Sequence, residues 1–269
     1  MTNGLVSLNS KIISSAEALI NPLTSVLYGK GVFTTVAIYK GKPFLWEKHW
    51  RRVTRNAEFL GIDLTNSAER PMRDALDELI EANSIGDGRA RITFFDESPS
   101  SVWQVDTQKK TSVLIMTGDR RPVPHDFRVQ VSQSRISSFS KTAGIKSCNY
   151  LDNLLAYEET ARHGFQEAIR LNERGEVTSA CMANIFWIEG EKLFTPSLTT
   201  GCLPGTTREF VLENVTCEEV KAGAELVHRA DAIFLTSAGL GVTRVSEFDG
   251  RRLGGENHAI LQLMPKTLG

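Results

Sequence analysis

The stretch "KTAGIKSCNYLDN", residues 141–153, carries one interior cation between a strand-like run and an amphipathic helix. That cation, Lys146, follows Ala143, Gly144 and Ile145. It reads either as a solvated surface amine or as a reactive amine held in a pocket. The residues on either side of the stretch have to decide which.

Upstream, "GVFTTVAIY" (31–39) is β-branched and aromatic, and "KGK" then "PFLW" follow it, which predicts a hairpin. Trp46, Trp50, Val53, Ala57 and Leu60 fall on one stripe, so 46–60 is predicted helical, and a second helix is expected over 67–84. "RARITFFD" (89–96) and "TSVLIMT" (111–117) read as strands. The pattern breaks at "GDRRPVPH" (118–125), where two prolines, a glycine and two arginines suggest an interdomain linker.

Downstream, "FRVQVSQS" reads as a strand, and 150–163 as a helix with Leu151, Leu154, Leu155 and Ala161 turned inward. "EAIRL", "NERG" and "EVT" form strand, turn and strand, and "NIFWIEGEKLFTP" a hairpin about Glu189-Gly190. "TTREFVLENV" opens a helix after "CLPG", and "ADAIFLTSAGLGVTRV" supplies a strand and a glycine-bearing turn. Frequent hairpins among interspersed helices give an α+β class with two domains, 1–118 and 125–269, joined by a linker at 119–124.

The 269 residues, 41% of them hydrophobic, suffice for a sizeable core or two modest ones. A net charge of −1 gives no argument for nucleic acid or an anionic membrane. No apolar run approaches the roughly 20 residues of a membrane helix. "MTNGLVSLNSKIIS" lacks a signal-peptide pattern. Cys148, Cys181, Cys202 and Cys217 are scattered and the five histidines isolated, so no metal site is expected, and free thiols in a cytoplasmic protein are.

Three stretches have anion-binding chemistry. Gly205 permits a tight turn before Thr206 and Thr207, and free N–H groups, the helix dipole and two hydroxyls make such a helix start an anion site. "LTSAGLGVTRV" ends a strand in a small-residue turn that exposes backbone amides. In "WEKHWRRVTRNAEFLGI", Arg52 lies beside the apolar stripe, from which a guanidinium reaches inward to phosphate. Read alone, each has an ordinary alternative: a threonine N-cap, a glycine turn, a solvated cationic face shared with Arg51 and Arg55.

Their order is more telling. "YGKGVFTTVAIYKGKPFLWEKHWRRVTRNAEFLGI", "GIKSCNYLDNLLA", "NERGEVTSACMANIFW", "LFTP", "LPGTTR" and "FLTSAGLGVTRV" together resemble the fold-type IV pyridoxal-phosphate enzymes over roughly residues 25–250. That family includes branched-chain aminotransferases, D-amino-acid aminotransferases and 4-amino-4-deoxychorismate lyases. The resemblance implies a two-domain fold like that of D-amino-acid aminotransferase, pyridoxal 5'-phosphate as cofactor, a small-molecule amine as substrate and a homodimer.

It also implies roles. Lys146 becomes the lysine that holds the cofactor covalently and then moves the substrate proton. A partly desolvated site favours the neutral amine this requires. Arg52 matches the phosphate arginine, Thr206 and Thr207 the phosphate-binding helix start, and Ser237 and Ala238 a second phosphate loop, where Ala238 offers only its N–H. Tyr150 matches an aromatic position near the cofactor ring. Tyr28, Thr34 and Thr35 fall where the family lines its substrate pocket.

Two departures matter. The family usually has a glutamate after the threonine of "EVTS", a carboxylate that keeps the pyridine nitrogen protonated and the ring a deep electron sink. Here Ser179 stands there, and Glu176, three residues away, points to the other face of an extended strand. A serine hydroxyl donates to an unprotonated nitrogen, a shallower sink that disfavours transamination more than elimination. Replacing Ser179 by glutamate should deepen the sink. The same serine also fits a catalytically weak paralogue. Second, Phe33-Thr34-Thr35 and the tryptophan of "ANIFW" look more like the aminodeoxychorismate lyases than the aminotransferases. Lys30, where an aspartate is common, reads as a surface cation. The expected activity is therefore elimination giving 4-aminobenzoate and pyruvate. A branched-chain or D-amino-acid aminotransferase is the alternative, and a binding protein on the same fold a third.

Overall fold

The computed structural model describes residues 4–19, 27–98, 109–255 and 257–265. Residues 25 and 26, where the motif run begins, lie outside them. The chain forms two compact units, one of Met1–Arg121, Ile145–Asn149 and Lys266–Gly269, the other of Pro122–Gly144 and Tyr150–Pro265.

The first unit contains β1 (Leu5–Leu8), β2 (Lys11–Ser14), β3 (Gly31–Tyr39), β4 (Lys42–Pro43), α1 (Trp46–Phe59), α2 (Glu69–Ala82), β5 (Gly88–Asp96) and β6 (Thr111–Asp119). Its six strands form an antiparallel sheet ordered β2-β1-β6-β5-β3-β4. Lys40 and Gly41 both have positive φ, 50° and 72°, the geometry that closes a two-residue hairpin between β3 and β4. Trp46, Val53 and Ala57 of α1 and Met72, Leu76 and Leu79 of α2 are buried in one core with Val32, Val36, Ile92, Phe94 and Ile115 of the sheet.

The second unit contains β7 (Arg128–Val131), α3 (Leu151–Arg162), β8 (Glu167–Leu171), β9 (Val177–Ala180), β10 (Asn184–Glu189), β11 (Lys192–Pro196), α4 (Thr206–Asn214), β12 (Glu218–Val220), α5 (Ala224–Arg229), β13 (Ala232–Ser237), β14 (Gly241–Arg244), β15 (Glu247–Phe248) and β16 (Arg251–Arg252). These strands make two five-stranded sheets, β12-β11-β10-β13-β14 and β16-β15-β7-β8-β9. Between them Val129, Ile169, Leu171 and Val177 share a core with Ile185, Trp187, Ile233 and Leu235. The β10–β11 turn falls on Gly190-Glu191, one residue later than expected, because Glu189 pairs with Lys192 and Gly190 takes a φ of 62°.

Two expectations change. Residues 145–149, and Lys146 with them, group with the first unit rather than the C-terminal one. They lie along the start of β3, on the edge that β4 covers only at Ile38 and Tyr39; there Ser147 bridges Val32, Phe33 N donates to Lys146 O at 3.0 Å and Cys148 N donates to Gly31 O at 2.8 Å. Gly31 is the residue that permits this approach, since a Cβ there would fall 2.8 Å from Cys148 Sγ and 2.9 Å from Phe94 O. The predicted inward leucines of α3 are outside: Leu151, Leu154 and Leu155 are 63%, 44% and 52% exposed, and Ala161 is exposed too. The helix instead packs with Ala156 and Thr160 buried, and Asn153 Nδ2 donates to Cys181 O at 2.7 Å. Small residues let α3 sit close to Ala168 and Cys181. Lys30 is a surface cation as expected, 44% exposed, and its amine pairs with buried Asp96 at 2.5 Å.

Candidate active site

Within the first unit, the edge of β3 gathers a set of polar groups. The Lys146 amine lies 4.4 Å from the centre of the Phe33 ring, and the Arg91 guanidinium covers the same ring at 3.6 Å. Burial, then the neighbouring Arg52 and Arg91 cations, hold the Lys146 amine well below the usual lysine range. Both causes act against the charged form, so the neutral, nucleophilic amine is favoured.

Arg52 projects from α1 and is 7% exposed. Its Nη2 donates to Thr34 Oγ1 at 2.9 Å, and Thr34 Oγ1 lies 2.7 Å from His49 Nδ1. Thr34 Oγ1 therefore links the Arg52 guanidinium to the His49 imidazole. Burial, with the Arg52 cation beside it, drives the His49 pKa well below the usual histidine range. Thr34 therefore orients Arg52. Thr35, the next residue of an extended strand, points to the opposite face and lies across from Arg91 in β5. Arg91 Nε donates to Thr93 Oγ1 at 3.2 Å. Tyr28 is 51% exposed. His49 and Arg91 were missed in the sequence. His49 had a signal, lying on the buried stripe of Trp46, Val53 and Asn56.

In the second unit, Thr206 and Thr207 are buried in the first turn of α4, which no side chain caps. Gly205 sits so close to Asn184 Oδ1 that no Cβ fits there. Asn184 Nδ2 in turn donates to Leu203 O at 2.8 Å and pins the approach to the helix. Ser237 ends β13, and its Oγ accepts from Leu240 N at 3.2 Å, closing the turn that carries Ala238. Ser179 is buried in β9, and its hydroxyl makes no hydrogen bond among the described residues. Glu176 is committed to the preceding turn, accepting from Asn172 Nδ2 at 2.7 Å and Arg174 Nη2 at 2.8 Å. Tyr150 is the residue before α3 and is partly buried.

The chain belongs to the class-IV aminotransferase family, whose model matches residues 31–248. It is 31% identical to the aminodeoxychorismate lyase of Bacillus subtilis, over 97% of this chain and 94% of that protein. Among solved structures, a branched-chain aminotransferase from Thermoproteus uzoniensis with norvaline superposes with a TM-score of 0.87 at 26% identity, covering 96% of this chain and 91% of that one. The 4-amino-4-deoxychorismate lyase of Pseudomonas aeruginosa has the same fold, with a TM-score of 0.82 at 21% identity and 96% of each chain covered. Members of the family are pyridoxal-phosphate enzymes. The side chains present fit that cofactor: a lysine held neutral suits an aldehyde, and an inward guanidinium and an uncapped helix start suit a phosphate.

Proposed function

We propose that this chain is a pyridoxal-phosphate lyase that converts 4-amino-4-deoxychorismate to 4-aminobenzoate and pyruvate. The observation that carries the reading is the 31% identity to a lyase of that name across nearly the whole of both chains. When bound, the cofactor supplies an electron sink for charge developing at the substrate carbon that bears nitrogen. Lys146 anchors the cofactor and, once released, takes the proton from that carbon. Loss of the proton and cleavage of the ring C–O bond aromatise the ring and release pyruvate. Arg52, Thr206, Thr207, Ser237 and Ala238 hold the phosphate. Ser179 faces the pyridine nitrogen, and Tyr150 lies near the ring. Arg91, on the Phe33 and Thr35 face beside Lys146, is assigned a substrate carboxylate, which its fork-shaped guanidinium suits.

The test is pyruvate release. Protein saturated with pyridoxal phosphate should liberate pyruvate from aminodeoxychorismate with no keto acid added. Strict dependence on an acceptor keto acid would favour the aminotransferase alternative, which branched-chain aminotransferases 25–29% identical to this chain support. Neither activity in a cofactor-loaded sample would favour a binding protein.

The free cysteines suit the reducing cytoplasm proposed for it. A homodimer is part of the same reading, supported by the exposed leucines of α3. Sedimentation should give twice the chain mass, and Leu155→Asp should reduce it; a monomeric wild type would end this claim.

A further inference from the structure

A buried cation lies across the strand from Ser179. β8 and β9 are registered so that Arg170 opposes Ser179. The register is locked by an irregularity beside Arg170, where Thr178 Oγ1 donates to Arg170 O at 2.9 Å. Directly opposed residues of an antiparallel pair project to the same face of the sheet. The guanidinium therefore springs from the face that Ser179 occupies.

Arg170 is 2% exposed and makes no ion pair among the described residues. Its Nε donates to Ser134 O at 3.2 Å, and its Nη2 donates to Arg135 O at 2.9 Å and Ser134 Oγ at 3.3 Å. Nη1 donates to nothing among the described residues. The titratable groups around it are Cys181, Asp152 and Tyr150, with Glu167 farther along β8. Asp152 is exposed, and burial raises the Cys181 thiol to about 11, leaving it neutral at pH 7. A buried guanidinium held by carbonyls and a hydroxyl keeps its full charge with little to offset it nearby.

We propose that Arg170 is an electrostatic positioning residue for the cofactor ring, and that its charge, acting with the Ser179 hydroxyl, keeps the pyridine nitrogen unprotonated. The proposal rests on the placement of Ser179 at that nitrogen. It alters one expectation from the sequence. A glutamate at 179 would arrive beside a cation and pair with it first, so Ser179→Glu alone would not deepen the electron sink.

The experiment uses pyridoxal phosphate labelled with ¹⁵N in the ring, bound to wild type, Ser179→Glu, Arg170→Gln and the double variant. The nitrogen resonance is followed from pH 6 to 8. The wild type and Ser179→Glu should both stay unprotonated. The double variant should become protonated, because removing a nearby like charge raises a pKa by about 1–3 units, a ten- to thousandfold gain in proton affinity. If Ser179→Glu alone protonates the nitrogen as fully as the double variant, Arg170 has no such role. Where Arg170→Gln does not fold, Arg170→Met, an apolar replacement of similar length, takes its place alone and in the double variant. A nitrogen that responds in neither glutamate variant, with cofactor bound, overturns the placement of Ser179. Failure to capture the cofactor at all would overturn the function proposed above, a result readily told from the other two.

Discussion

Lys146→Met is expected to lower pyruvate release by more than about a thousandfold, since a positioned base alone contributes about 10²–10⁴. Borohydride treatment of the wild type with cofactor should place a stable label on residue 146, and the variant should take none. A label elsewhere, or residual turnover near wild type, would remove Lys146 from the mechanism. The same substitution has an effect on the cofactor-free protein with a definite sign. In the folded chain the amine is held well below its ordinary 10.5 by burial and by Arg52 and Arg91. As pH falls through 10.5, the unfolded chain takes up the proton first. Wherever the unfolded state binds more protons, stability rises with pH. The penalty is therefore present at pH 7 and absent above about 10.5. Lys146→Met removes it, so the cofactor-free variant should melt at a higher temperature than wild type at pH 7, with the two converging in strong alkali. A lower melting temperature for the variant at pH 7 would show that the amine contributes bonds that outweigh its burial.

Local patterns in the sequence marked the elements well, because each depends on residues close in the chain. The β-branched and aromatic run "GVFTTVAIY" became β3 over the same nine residues, and the tryptophan stripe became α1 with Trp46, Val53 and Ala57 buried. What the sequence hid depends on pairing between distant strands. Arg89 and Arg91 alternate in "RARITFFD" as two solvent-facing cations would; only the register of β5 on β3 sets Arg91 opposite Thr35. Thr34 and Thr35 looked like one pocket wall, yet a strand sends them to opposite faces, and Thr34 is occupied by Arg52 and His49. Arg170 did leave a trace, one of two charged residues in "EAIRL", five residues that are all buried. In α3 hydrophobicity misled, since close packing selected Ala156 and Thr160 over three leucines.

Arg52→Ala should weaken cofactor affinity by about ten- to a hundredfold, the equivalent of a charge-assisted hydrogen bond worth about 1.5–3 kcal/mol. Arg51→Ala and Arg55→Ala should leave it nearly unchanged. The three arginines share one helix and one net charge, so a general cationic field would make the three variants alike. Their surroundings differ. Arg51 and Arg55 are exposed, where water screens a cation and an isolated contact is worth little. Arg52 is buried, and Thr34 Oγ1 holds its Nη2 at 2.9 Å. Thr34→Val tests that restraint separately: it keeps the cation but removes the oxygen that aims it, so affinity should fall by less than in Arg52→Ala. The measurement is equilibrium binding of pyridoxal phosphate, followed by its absorbance, at low and high salt. Equal losses in all three arginine variants, vanishing together in salt, would mean that position 52 acts only as surface charge. A loss confined to Arg52→Ala that persists in salt is what a desolvated, oriented guanidinium on a phosphate requires.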